Sequence, residues 1–171
     1  MSNAAATRES AFWQFSLAFY ARPGVPTACL ELQDQAAADV NVLLYLLFLA
    51  NQRRQLERAD VARIDARVAK WRNLAVVPLR TLRRKLKSGI EPFPAAHTES
   101  FRNVIKRIEL DAERLEQEWM EQHAPATSLG ITAATRVAAA QANLAAYGAI
   151  LNGPPGTAVA TLLDAYELFQ S

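Results

Sequence analysis

Apolar residues recur along this chain at steps of three and four, the period of a helix, and no stretch alternates at the period of a strand. Arg8–Tyr20 places Phe12, Phe15 and Phe19 on one face, with Trp13 and Tyr20 beside them, and Pro23-Gly24 stops the helix. Pro26 sits where a first-turn proline belongs, which predicts a second helix to about Gln35. Asp39 reads as the N-cap of a third helix through Ala50. Within it Val42–Ala50 is the longest uninterrupted apolar run and is apolar on every side, so this helix is the predicted centre of a bundle. The run covers about 14 Å, against a hydrocarbon core of roughly 30 Å. It is therefore a buried helix and no membrane span.

Two long seams follow. Val61, Ile64, Val68, Trp71, Ala75, Leu79, Leu82 and Leu86 step by threes and fours, with two consecutive fours over Trp71–Ala75–Leu79. Pro78 lies in that irregular stretch and removes the bond to the Leu74 carbonyl. Asp60–Ser88 is accordingly read as one long helix, capped by Asp60, bent at Pro78 and stopped by Gly89. Two helices broken at Pro78 are the alternative. Beyond the loop Glu91-Pro92-Phe93-Pro94, a second seam runs through Phe101, Val104, Ile105, Ile108, Ala112, Leu115 and Trp119, on a helix from about Thr98 to Gln122. Matched lengths and a short connection predict an antiparallel hairpin with its tip at residues 88–97 and Trp71 near Ile108–Leu115. An alanine-rich helix from about Thr132 to Leu151 and a last helix from about Thr157 to Phe169 complete the chain. The alanines permit close helix approach, inside the bundle or across a homodimer. The expectation is one all-α domain over residues 8–171, with six to eight helices around the central one. Residues 1–7, with no apolar signal core and no basic leader, are expected to form a disordered tail.

Composition agrees. Half of the 171 residues are hydrophobic and six are glycine, the balance of a globular helical domain. A single cysteine, Cys29, excludes an intrachain disulfide and fits a reducing compartment. Between Ala28 and Leu30 it reads as a small buried hydrophobe.

Candidate chemistry is sparse. Gly153-Pro154-Pro155-Gly156-Thr157 begins like a phosphate-binding loop, but Ala158-Val159-Ala160 replace the lysine and hydroxyl that hold phosphate and magnesium, and a helix precedes it instead of a strand. It reads as a turn. Pro94 and Met120 stand three residues before His97 and His123, where a di-iron bundle needs glutamate. One cysteine and two histidines make no zinc cluster. No catalytic residue, metal site or cofactor is predicted. Gln33, Asp34, Asp39 and Asn41 form a polar group at the joint leading into the most apolar helix. Asp34 stands near a helix C-terminus, where the dipole disfavours negative charge, so an arginine partner is expected, Arg80 or Arg83. Capping and a salt bridge account for the four; an oxygen-rich ligand site is the functional alternative.

Charge changes the picture more. Twelve of nineteen basic residues lie between Asn51 and Ile90, while the acidic ones lie mostly beyond. At the hairpin's open end Arg63, Arg67, Lys70 and Arg72 meet a run of carboxylates from Glu109 to Glu121. At the tip Arg80, Arg83, Arg84, Lys85, Lys87, Arg102, Lys106 and Arg107 face only Glu91 and Glu99, and Phe93 projects between the arms. Such a face can take RNA, DNA, an acidic protein or an anionic membrane surface.

Trp13-Gln14-Phe15, Tyr20, Cys29-Leu30-Glu31-Leu32-Gln33-Asp34, Asp39-Val40-Asn41-Val42-Leu43-Leu44 and Leu79-Arg80-Thr81-Leu82-Arg83-Arg84-Lys85-Leu86-Lys87 together carry a resemblance. Nearly the whole chain resembles a family of small proteobacterial proteins catalogued as a domain of unknown function. The resemblance implies a bacterial, cytoplasmic protein and transfers no activity. The leading expectation is a non-enzymatic binding or adaptor protein that uses the basic tip. A small-molecule or metal-binding protein at the polar joint and a structural dimerisation subunit are the alternatives.

Overall fold

The computed structural model describes residues 10–151 and 153–170; the tail expected at residues 1–7 lies outside them. Its helices are α1 (Ala11–Tyr20), α2 (Val25–Ala36), α3 (Val40–Asn51), α4 (Arg58–Trp71), α5 (Val77–Lys85), α6 (Ala95–His123), α7 (Arg136–Gly148) and α8 (Gly156–Gln170). The fold is all-α apart from two-residue strands β1 (Arg54–Gln55) and β2 (Ile131–Thr132), which pair antiparallel. No strand was expected there, because two residues are too few to show a period.

Helix α3 is central. The Asp39 carboxylate caps it by accepting the Asn41 N–H at 2.9 Å. From Val42 to Ala50 every side chain except Phe48 is buried. Each such leucine contributes about 1.5–3 kcal/mol relative to exposure, so this helix supplies much of the stability. Helix α7 lies against it, and the fully buried Ala139 and Ala140 of α7 place the small side chains inside the bundle. Helix α2 packs on α8, and α1 brings Phe12 to 4.8 Å from the Tyr45 ring. Cys29 is wholly buried, and burial pushes its thiol pKa up to about 12, so it behaves as a small hydrophobe.

Loops are tied by side chains. Asn143 of α7 is wholly buried; its amide donates to the carbonyls of Leu46 and Arg54 and its oxygen accepts the Leu56 N–H at 2.7 Å. Gly130, at φ +56°, crosses the strand pair so closely that a Cβ would lie 2.0 Å from the Gln55 carbonyl oxygen.

The hairpin forms as expected, with Trp71 Nε1 donating to the Ala112 carbonyl at 2.9 Å and Gly89, at φ +76°, ending the first arm. Two details differ. The first arm is capped at Glu57 instead of Asp60, and its irregularity is a wide turn at Arg72–Val76 where a bend at Pro78 was expected. There the Val77 N–H bonds the Arg72 carbonyl, five residues back. The turn ends just before Pro78, which falls in the first turn of α5. It also moves burial from Ala75 to Val76. The second difference is larger. Helix α6 buries Ile105, Glu109, Ala112, Glu116, Gln117 and Met120, and leaves Phe101, Val104, Ile108 and Leu115 of the expected seam exposed, as α4 and α5 leave Trp71 and Leu82. The hairpin turns its charged side to the bundle because the two arms neutralise each other there.

Among the described residues no helix is long and apolar enough to cross a membrane.

Candidate functional site

The underside of the hairpin is a buried polar layer. Arg72 bridges Asp39 at 2.7 Å and Asp65 at 2.8 Å. The Asp39 N–H donates to the Tyr147 hydroxyl at 2.8 Å. Asn41 donates to Glu116, Gln117 donates to Asn41 at 2.9 Å, and Ser16 donates to Gln117 at 3.0 Å. Glu116 is 2 % exposed. Burial, and then the neighbouring Asp39 charge, push its carboxyl pKa up to about 10. It is therefore protonated at neutral pH, and its Oε1 has no hydrogen-bond partner among the described residues.

The four residues of the expected polar site are split. Asp39 and Asn41 belong to this layer, whereas Gln33 and Asp34 lie outside it. Asp34 accepts two bonds from Arg84, at 3.0 and 3.1 Å, and these hold its carboxyl below the usual range. The arginine expected there was Arg80 or Arg83. Those two instead face inward, where Glu109 is buried and demands them: Arg80 meets Glu109 at 3.2 Å and Glu113 at 2.8 Å, and Arg83 also bonds Glu109.

Of the expected basic tip, Arg80, Arg83, Arg84 and Arg102 thus hold carboxylates of the same chain, Arg102 through Glu99 at 2.8 Å. Lys87, Lys106 and Arg107 are exposed and have no ion partner among the described residues; the same is true of Arg67, Lys70 and Lys85. Over residues 63–115 only Glu91 and Asp111 remain as unpaired carboxylates on that surface. Phe93 is 58 % exposed in the tip loop, which includes a cis Glu91–Pro92 bond.

The outer side of the hairpin is apolar. Phe101, Val104, Ile108 and Leu115 share one side of α6 by helical spacing. Beside them Trp71 and Leu74 of the first arm, with Leu115 and Trp119 of the second, wall a groove of about 510 Å³ edged by Arg67 and Lys70. Leu74 is 77 % exposed. A second cavity, of about 370 Å³, opens between α1, the α2–α3 joint and the charged side of the hairpin.

These features fall almost wholly within one matched span: the family model described as "Protein of unknown function (DUF2390)" covers residues 11–120. The chain belongs to this family. The span runs from the first residue of α1 to Met120 in α6, and so contains Asp39, Arg72, Glu116 and both hairpin arms. Tyr147 and Asn143 come from α7, outside it. No curated protein and no solved structure matches the chain.

Sequence reasoning missed Gln117 and Tyr147, and it counted Glu109 and Glu116 only as open-end charges without foreseeing their burial. Ile105, Glu109, Ala112, Glu116 and Met120 also step by threes and fours, but the apolar series beside them masked it. The usable signal was the opposed charge, Arg72, Arg80 and Arg83 on one arm against Glu109 and Glu113 on the other.

Proposed function

We propose that this chain is a non-enzymatic adaptor whose hairpin docks an acidic, amphipathic helix of another protein along its outer groove. The observation that carries this is the inverted hairpin: charge-paired beneath, apolar outside. Soluble chains seldom leave contiguous large apolar side chains such as Trp71, Leu74, Ile108 and Leu115 uncovered without an interaction to make. Unpaired Arg67 and Lys70 at the groove edge, and Lys85, Lys87 and Arg107 toward the tip, favour an acidic partner. The mixture favours protein over nucleic acid: four of the tip arginines already hold carboxylates, and a phosphate backbone gains nothing from the apolar strip. A bacterial cytoplasmic setting accords with the family resemblance and the lone reduced cysteine.

The test is fluorescence anisotropy with three probes: a leucine–glutamate amphipathic helical peptide, its leucine–lysine twin, and a short single-stranded RNA. The acidic peptide should bind, and Leu74→Asp with Ile108→Asp should weaken it at least about tenfold (~1.4 kcal/mol). Tight RNA binding with a salt slope that shrinks in Lys85→Ala/Lys87→Ala would move the function to nucleic acid. A concentration-dependent homodimer abolished by Leu74→Asp would assign the groove to a second copy.

A further inference from the structure

The cavity between α1, the α2–α3 joint and the hairpin has an unequal charge balance and an apolar mouth. Arg80, Arg83 and Lys106 line it against Glu109 and Glu113, leaving one positive charge in excess. The two arginines are committed to the glutamates, whereas Lys106 has no ion partner among the described residues. Tyr20 also lines the cavity, half-buried, with Glu113 and Arg80 as charged neighbours. Around the same opening Leu17, Leu30 and Leu110 are 53 %, 44 % and 47 % exposed, with Leu44 buried behind them. At about 370 Å³ the space is of small-ligand size.

An unpaired ammonium beside an aliphatic wall matches one class of molecule. We infer that this cavity binds a small amphipathic monoanion, a carboxylate with an aliphatic tail, its head on Lys106 and its tail among Leu17, Leu30 and Leu110. A cationic ligand would meet the excess positive charge without a free carboxylate to receive it. A neutral one would leave Lys106 facing the apolar lips unneutralised. The site shares no lining residue with the outer groove, so it stands or falls apart from the docking reading.

The experiment is a ¹H–¹⁵N NMR titration with octanoate, and with octylamine as the matched cation. Octanoate should shift the amides of Leu17, Leu30 and Lys106, octylamine should not, and Lys106→Ala should weaken octanoate about tenfold. Lys106 is exposed and unpaired, so the variant keeps the fold. Leu30→Asn should weaken octanoate through the tail, leaving its preference over octylamine intact. Absence of octanoate shifts, equal binding of octylamine, unchanged affinity in Lys106→Ala, or shifts confined to Trp71, Leu74 and Leu115 would each overturn the assignment.

Discussion

Glu116 holds a proton that an exposed glutamate would have lost. Burial in the folded chain pushes its pKa up to about 10 from an ordinary 4.5. Between those values the folded chain carries one proton more than the unfolded one, so stability falls as pH rises through that window and is fullest below it. Glu116→Gln keeps the shape and the donor but cannot ionise. It should flatten the pH dependence and exceed wild-type stability at pH 8–9 by about 1 kcal/mol or more, read from urea midpoints across pH. The arginines of the first arm offer a second contrast. Arg83→Ala leaves the buried Glu109 with Arg80 alone and should cost about 1–3 kcal/mol. Arg84→Ala breaks a half-exposed pair with Asp34 and should cost under about 1 kcal/mol. Equal costs for the two would mean that the inward and outward arginines are not distinct.

At the scale of elements, helices were legible wherever apolar spacing and burial coincide. The Phe12–Phe15–Phe19 face, the apolar run of α3 and the alanines of α7 are such places. Legibility failed at α6, where two series of similar spacing compete and hydrophobicity alone picked the one that faces solvent. It failed again for Asn143, since nothing in a sequence tells a lone buried amide from a surface one. That amide closes three bonds across α3, β1 and α7, and Asn143→Ala should cost about 2–4 kcal/mol in equilibrium unfolding, because its partners stay buried. Leu74→Asp, on the apolar strip, should leave stability within about 0.5 kcal/mol of wild type. A large loss there would make the strip a core after all.

Over the whole molecule the family match and the folding unit differ. Residues 11–120 hold both hairpin arms, yet α3 buries its leucines partly against α7, and Asp39 bonds Tyr147. A fragment of residues 11–120 should therefore fail to unfold cooperatively, as circular dichroism during heating would show; a cooperative transition would make α7 and α8 an addition to a self-sufficient core. The candidate sites were only half visible from the sequence for the same reason. Local composition marked the basic arm, but which cations stay free depends on carboxylates brought across from α6.

The wide turn at Arg72–Val76 sets the rotational phase of everything after it. A regular helix advances about 100° per residue. Forcing ordinary winding on the same number of residues would swing α5 by about that angle, carrying Arg80 and Arg83 away from Glu109, whereas losing one codon together with the wide turn would keep the phase. No gradual series of substitutions achieves or undoes such a step. Relatives lacking the extra residue should accordingly wind this stretch regularly and keep their arginines aligned with Arg80 and Arg83 across a one-residue gap, as reading their genes side by side would expose.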